Sequence, residues 1–130
     1  MDNKKGSKFS PKRIIRSFKF AFEGIWTGIK SEANWTIGII EAMVVIWAGF
    51  YLNISKSDWI IVILLISLVL YAELCNSAIE AIVDSFTPEE HPKAKLAKDF
   101  SAGSVVILII ASAIIGWIIF WPYISLHFSK

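Results

Sequence analysis

The chain has 130 residues, 55% of them hydrophobic, and carries three apolar runs longer than a soluble core of this size needs. That excludes an ordinary soluble domain and points to an integral membrane protein. The net charge of +2 excludes little, but eight of the thirteen Lys and Arg residues (Lys4, Lys5, Lys8, Lys12, Arg13, Arg16, Lys19 and Lys30) precede the first apolar run. The charge rule then predicts a cytoplasmic N-terminus and, after three spans, a C-terminus outside. No cleavable signal peptide is expected, because the first thirty residues lack a continuous apolar core. Cys75, the single cysteine, excludes an intrachain disulfide and reads as a buried, inert thiol.

Residues 1–9 read as a disordered polar lead. A surface helix is predicted over 10–31, with Ser10 as cap and Pro11 at the first helical position. On a helical projection Ile14, Phe18, Phe22, Ile25, Trp26 and Ile29 share one side, and Lys12, Arg16, Lys19, Glu23 and Lys30 another. Such a helix suits the headgroup layer of an anionic membrane. Phe20 breaks the pattern by falling on the polar side near Arg13; it could line a nucleotide pocket or touch a neighbouring helix. Gly24 and Gly28, four apart, are expected to permit close packing.

Membrane helices are predicted over 35–54, 59–84 and 93–122, all within one domain. Trp35 is expected to anchor the first span at the interface, and Glu41 to be a protonated or helix-paired acid facing the bundle interior with nothing polar around it. Asn53 to Asp58 form a short turn, and Ser85 to Pro92 a loop bounded by prolines, with Pro92 opening the last helix. Ser104, Ser112 and Gly116 share a face that suits close helix packing.

The second span ends in a run that no simple membrane helix needs: Glu73-Leu74-Cys75-Asn76-Ser77-Ala78-Ile79-Glu80-Ala81-Ile82-Val83-Asp84. At 100° per residue Glu73, Asn76, Glu80 and Asp84 fall within an arc of about 80°. Aligned ionisable groups at the edge of a bilayer are costly and mark a functional face; as mere helix glue, three carboxylates would repel one another. Short connections can bring this stripe to the depth of Glu32 and of Lys98-Asp99. Carboxylates without His or Cys partners favour hard cations, and magnesium takes one or two of them together with phosphate oxygens. A lysine to offset phosphate charge and a basic carboxylate to receive a hydroxyl proton complete the parts of a phosphoryl-transfer site. Neither a GxxxxGK[ST] loop nor a GxGxxG is present, so helices would have to hold any nucleotide. His91 alone falls short of a zinc ligand set. Residue chemistry leaves three readings open: a membrane phosphotransferase, a small cation- or proton-coupled transporter, and a membrane interaction subunit.

The run from Glu73 to Asp84, followed by Glu89, His91, Pro92, Ala97-Lys98-Asp99 and Ala102-Gly103, resembles the signature of the prokaryotic diacylglycerol kinases. Ser31-Glu32-Ala33-Asn34 and Arg13-Ile14-Ile15 match further elements of that family, and the resemblance covers about residues 10 to 123. It implies an all-α membrane protein, a surface helix plus three transmembrane helices, assembled as a homotrimer with sites shared between subunits. It implies a lipid kinase using ATP and Mg²⁺, with no nucleic-acid partner. Glu73 would be the base, and Glu32 and Glu80 the metal ligands. Lys98 would meet the phosphates and Asp99 the nucleotide, with Glu89, Glu90 and His91 closing over it. Asn76, Asp84 and Ala102 would support the acidic, substrate-facing wall, and Arg13 would sit near lipid and ATP. Phe20 stands where tyrosine is common in the family, a departure that puts a hydroxyl contact there in doubt and leaves stacking on the nucleotide open. The stretches Thr87 to Asp99 and Lys30 to Asn34 look more like the Gram-positive branch, whose members phosphorylate undecaprenol; diacylglycerol is the alternative substrate.

Overall fold

The computed structural model describes residues 10–31, 33–87 and 91–129. The predicted lead 1–9 and the candidate site residues Glu32, Glu89 and Glu90 lie outside the described residues. Four helices follow in order: α1 (Pro11–Ser31), α2 (Ala33–Leu52), α3 (Lys56–Phe86) and α4 (Pro92–Phe128). The last three are each long and apolar enough to cross a membrane.

Helix α1 begins where a proline costs nothing, since the first helical N–H groups have no intrahelical partner. The Ser10 carbonyl accepts from the N–H groups of Arg13 and Ile14 and opens the helix there. Every residue from Pro11 to Thr27 is exposed, including Ile14, Phe18, Phe22 and Trp26 on the apolar side. Burial starts at Gly28, where an added methyl would lie 3.3 Å from Leu74 Cδ1 and 3.7 Å from the Trp35 ring. Within the chain the expected close packing is found at Gly28, while a methyl at Gly24 would meet no described atom within 4 Å. Trp35 is buried rather than spread at an interface, because the corner between α1 and α2 folds over its ring.

Helices α2 and α3 are antiparallel and joined by a turn in which Asn53 takes a positive φ of 50°, a conformation asparagine tolerates. Ser55 caps α3: its Oγ accepts from the Asp58 N–H at 3.1 Å and donates to Asp58 Oδ2 at 2.7 Å. The Tyr123 hydroxyl of α4 donates to the same Oδ2 at 2.6 Å and accepts from the Ser55 N–H at 3.1 Å. Beneath this polar clasp lies an apolar cluster of Ile54, Val62 and Ile119, joined by Trp59, Ile66 and Phe120. The best-packed part of the chain is therefore the end that carries the α2–α3 turn.

Helix α4 runs six residues past its predicted end at 122, straight through Pro122. Proline removes one ladder hydrogen bond, but Tyr123 is tied to Asp58 and His127 Nε2 lies 3.2 Å from Tyr51 Oη, so tertiary contacts hold the following turns in place. Within the chain the small residues of α4 leave space: an added methyl on Gly116 would meet no described atom within 4 Å, and Gly116 and Ser112 border a cleft. Cys75 is half-buried rather than fully enclosed. Among the described residues only Trp35, Ile54, Val62, Ala72, Val105 and Ile119 are buried apolar side chains. Most of the apolar surface of the spans thus faces away from the single chain, as hydrocarbon or helix neighbours require.

Candidate active site

Helix α3 has 31 residues and so a length of about 46 Å at 1.5 Å per residue, against a hydrocarbon thickness of about 30 Å. A helix entering the apolar layer at Trp59 leaves it about twenty residues later, between Asn76 and Glu80. The stripe straddles that boundary, and burial is graded along it. Glu73 and Asn76 are buried, at 8% and 6% exposure, Glu80 is half-buried and Asp84 is exposed.

Neighbours on the stripe are wired differently. Asn76 Nδ2 donates to Glu80 Oε1 at 3.0 Å, one turn along the helix, while Asn76 Oδ1 is buried with no hydrogen-bond partner among the described residues. Asp84 reaches across to α4, where Lys98 Nζ donates to Oδ1 at 2.9 Å and Oδ2 at 3.2 Å. Asp99 pairs with Lys95 at 2.7 Å, so Lys98 and Asp99, expected to act side by side, each hold a different partner. The reason is geometric: consecutive helical residues point about 100° apart, and Lys98 alone faces α3.

Glu73 and Asn76 open onto a cleft of about 290 Å³ between α2, α3 and α4, with Ala102 and Val105 on the far wall and Asn34, Gly38 and Glu41 on the near one. Its lining is mostly apolar, as a site for a lipid must be. Asn34 and Glu41 are seven residues apart and therefore share a helix face; that spacing was the available signal, and the expectation that Glu41 has nothing polar around it is corrected by the Glu73, Asn76 and Asn34 of this cleft. Ser101, buried next to Ala102, likewise escaped the sequence reading; its carbonyl accepts from Ser104 Oγ at 2.7 Å.

Other expected residues stand apart. Arg13 and Phe20 are exposed on α1, with the Arg16 guanidinium 6.0 Å from the Phe20 ring, and neither joins the stripe within the chain. His91 is the N-cap of α4, its Nδ1 accepting from the Lys93 N–H at 3.2 Å. That structural role was not foreseen, although His91 directly before a helix-opening Pro92 was a signal for it. No group of three or more His, Cys, Asp or Glu converges among the described residues. The donors suit a magnesium ion shared with phosphates, which needs only one or two carboxylates: Asn76 holds one oxygen of Glu80, and the other has no partner in that pair.

Comparison with known proteins agrees with this architecture. The family described as Prokaryotic diacylglycerol kinase matches residues 19–120. The chain is 41% identical over 110 residues to the undecaprenol kinase of Bacillus subtilis, covering 85% of this chain and 89% of that protein. It is 31% identical over 110 residues to a diacylglycerol kinase of Synechocystis, covering 84% of this chain and 63% of that longer protein. A diacylglycerol kinase of Pseudomonas aeruginosa is 33% identical over 93 residues, 72% of this chain and 76% of that one. The family match runs from the middle of the surface helix through the stripe and into the last apolar helix, and the chain belongs to the prokaryotic diacylglycerol kinase family as a membrane lipid kinase.

Proposed function

We propose that the chain phosphorylates undecaprenol at the expense of ATP, with Glu73 as the base. The observation that carries this reading is a buried carboxylate, Glu73, at the wall of an apolar cleft, on the same helix face as Glu80 and Asp84, which lie toward the polar layer. A lipid alcohol entering from the hydrocarbon brings its hydroxyl to Glu73, while ATP approaches from the water side. Glu73 takes the hydroxyl proton as the oxygen attacks the terminal phosphorus, the bond from that phosphorus to the bridging oxygen breaks, and ADP leaves on the water side. Glu80, oriented by Asn76, and Glu32 are the residues that would hold Mg²⁺. The metal, when bound, neutralises charge on the phosphate oxygens. Lys98 exchanges Asp84 for the phosphates, a cheap move because Asp84 is exposed and its pair with Lys98 is a surface one. Asp99, His91, Glu89, Glu90 and the wall residue Ala102 complete the nucleotide and substrate contacts in this reading.

Arg13 and Phe20 lie apart from the stripe within one chain, and the spans leave most apolar side chains uncovered. Both fit a homotrimer in which a neighbour's surface helix completes the site. The proposed setting is the bacterial plasma membrane, with the N-terminus and the stripe on the cytoplasmic side, where ATP is supplied. The name of the 41% identical Bacillus subtilis relative favours undecaprenol over diacylglycerol. A proton or cation pathway is disfavoured by the apolar cluster of Ile54, Val62 and Ile119, which occupies the other end of the bundle.

The test is a kinase assay on purified protein in lipid or detergent, with Mg-ATP labelled in its terminal phosphate and undecaprenol and diacylglycerol supplied side by side. Labelled undecaprenyl phosphate, formed faster than phosphatidic acid, is expected. Label in neither lipid would overturn the reaction, and faster labelling of diacylglycerol would overturn the substrate.

A further inference from the structure

Two lysines of α4 stand beside the exposed end of the stripe, and their carboxylate partners differ in kind. Lys95 Nζ donates to Asp99 Oδ2 at 2.7 Å, a contact one turn along the same helix. Lys98 Nζ donates instead across to α3, to both oxygens of Asp84, at 2.9 Å and 3.2 Å. Asp84 lies one turn beyond Glu80 on the same face of α3 and is exposed where Glu80 is half-buried. The ammonium that faces the stripe is thus held by a carboxylate at the water end of the wall from which a nucleotide would approach.

The partners in that pair are unequally free. The Asp84 side chain is 63% accessible and the Lys98 side chain 37%, so Asp84 can turn into water with both oxygens solvated while the stem of Lys98 stays against the bundle. An exposed pair of this kind exchanges at little cost. Phosphate and carboxylate oxygens make the same charge-assisted bonds to an ammonium, and Asp84 and the nucleotide therefore compete for Lys98. Phosphoryl transfer tilts that competition. Once the terminal phosphoryl group has passed to the lipid alcohol, the nucleotide that remains is ADP, with one phosphoryl group and its charge fewer, whereas Asp84 is unchanged.

We propose that Asp84 is a positioning residue for Lys98, taking its ammonium back from the nucleotide after transfer and so promoting the release of ADP. The inference rests on the assignment of Lys98 to the phosphates. It is tested by displacing a fluorescent ATP analogue with ADP, in the presence of Mg²⁺, from the wild type, Asp84→Asn, Lys98→Met and the double variant. Asp84→Asn keeps the shape of the side chain and removes its charge, and is expected to bind ADP about threefold more tightly, the size of one exposed ion pair. Tightening is the informative sign, because a damaged site binds more weakly. In the Lys98→Met background the same change is expected to leave ADP affinity unaltered, since the contested ammonium is gone. Unchanged or weaker ADP binding in Asp84→Asn overturns the proposal. Equal tightening without Lys98 also overturns it, by making Asp84 a plain repulsive charge. A Lys98→Met variant that binds ADP and the analogue as the wild type does overturns the assignment of Lys98 to the phosphates, and the proposal with it.

Discussion

Asn76 donates from Nδ2 to Oε1 of Glu80 at 3.0 Å, a contact that joins a buried residue of the stripe to its half-buried carboxylate. A carboxylate poised for a metal is free to rotate unless a neighbour fixes it, and residues that orient ligands commonly contribute 10–100-fold to metal affinity. Asn76→Ala is therefore expected to raise the Mg²⁺ concentration for half-maximal activity by about tenfold or more. A magnesium titration of the lipid kinase rate at saturating ATP checks this. An unchanged titration curve would mean that Asn76 serves the cleft alone.

Glu73 and Glu80 share a helix face yet should fail differently when changed. Glu73→Gln removes the proton acceptor and is expected to lower kcat by about 10²–10⁴-fold, the usual range for a lost general base, while nucleotide still binds. Glu80→Gln should weaken Mg-dependent nucleotide binding itself. Binding of a fluorescent ATP analogue, measured beside turnover, separates the two. Loss of nucleotide binding in Glu73→Gln would remove the distinction drawn between them.

How much of this was open to the sequence depends on how local each signal is. The length of the apolar runs gives three spans, and the 100° period puts Glu73, Asn76, Glu80 and Asp84 on one face, because both depend only on residues close in the chain. Partners on other helices were not legible. Lys98 is fourteen residues from Asp84 and Tyr123 sixty-five from Asp58, and only the register between helices decides that they meet. The same cause corrects Trp35, an interfacial anchor by composition but buried by the α1–α2 corner, and the end of α4, where a local breaker at Pro122 is overridden by contacts on both sides. Glu41 looked isolated because its polar neighbours Glu73 and Asn76 belong to another helix.

The Lys98 pair with Asp84 is exposed, with 37% and 63% of the respective side chains accessible. Solvent-exposed pairs of this kind contribute little to the fold, so Asp84→Asn should scarcely change thermal stability. Lys98→Met should be equally mild for the fold but raise KM for ATP by about tenfold, the size of one charge-assisted phosphate contact. Steady-state kinetics beside thermal inactivation in detergent checks both halves. A fall in stability that matches the fall in activity would make Lys98 a structural residue.

The clasp at the opposite end predicts the reverse pattern. Tyr123→Phe removes the hydroxyl that donates to Asp58 and accepts from the Ser55 N–H, leaving two polar groups of the α2–α3 turn without their α4 partner. Hydrogen bonds to charged groups contribute about 1.5–3 kcal/mol, and the stripe lies at the other end of the bundle. Tyr123→Phe is thus expected to lower the temperature of thermal inactivation in detergent while leaving kcat and KM for ATP at wild-type values well below that temperature. Asp58→Asn combined with Tyr123→Phe should cost less than the sum of the two single changes, since both break one network. Additive costs would show that the two groups act independently, and a change in kcat at low temperature would show that the clasp is coupled to the stripe.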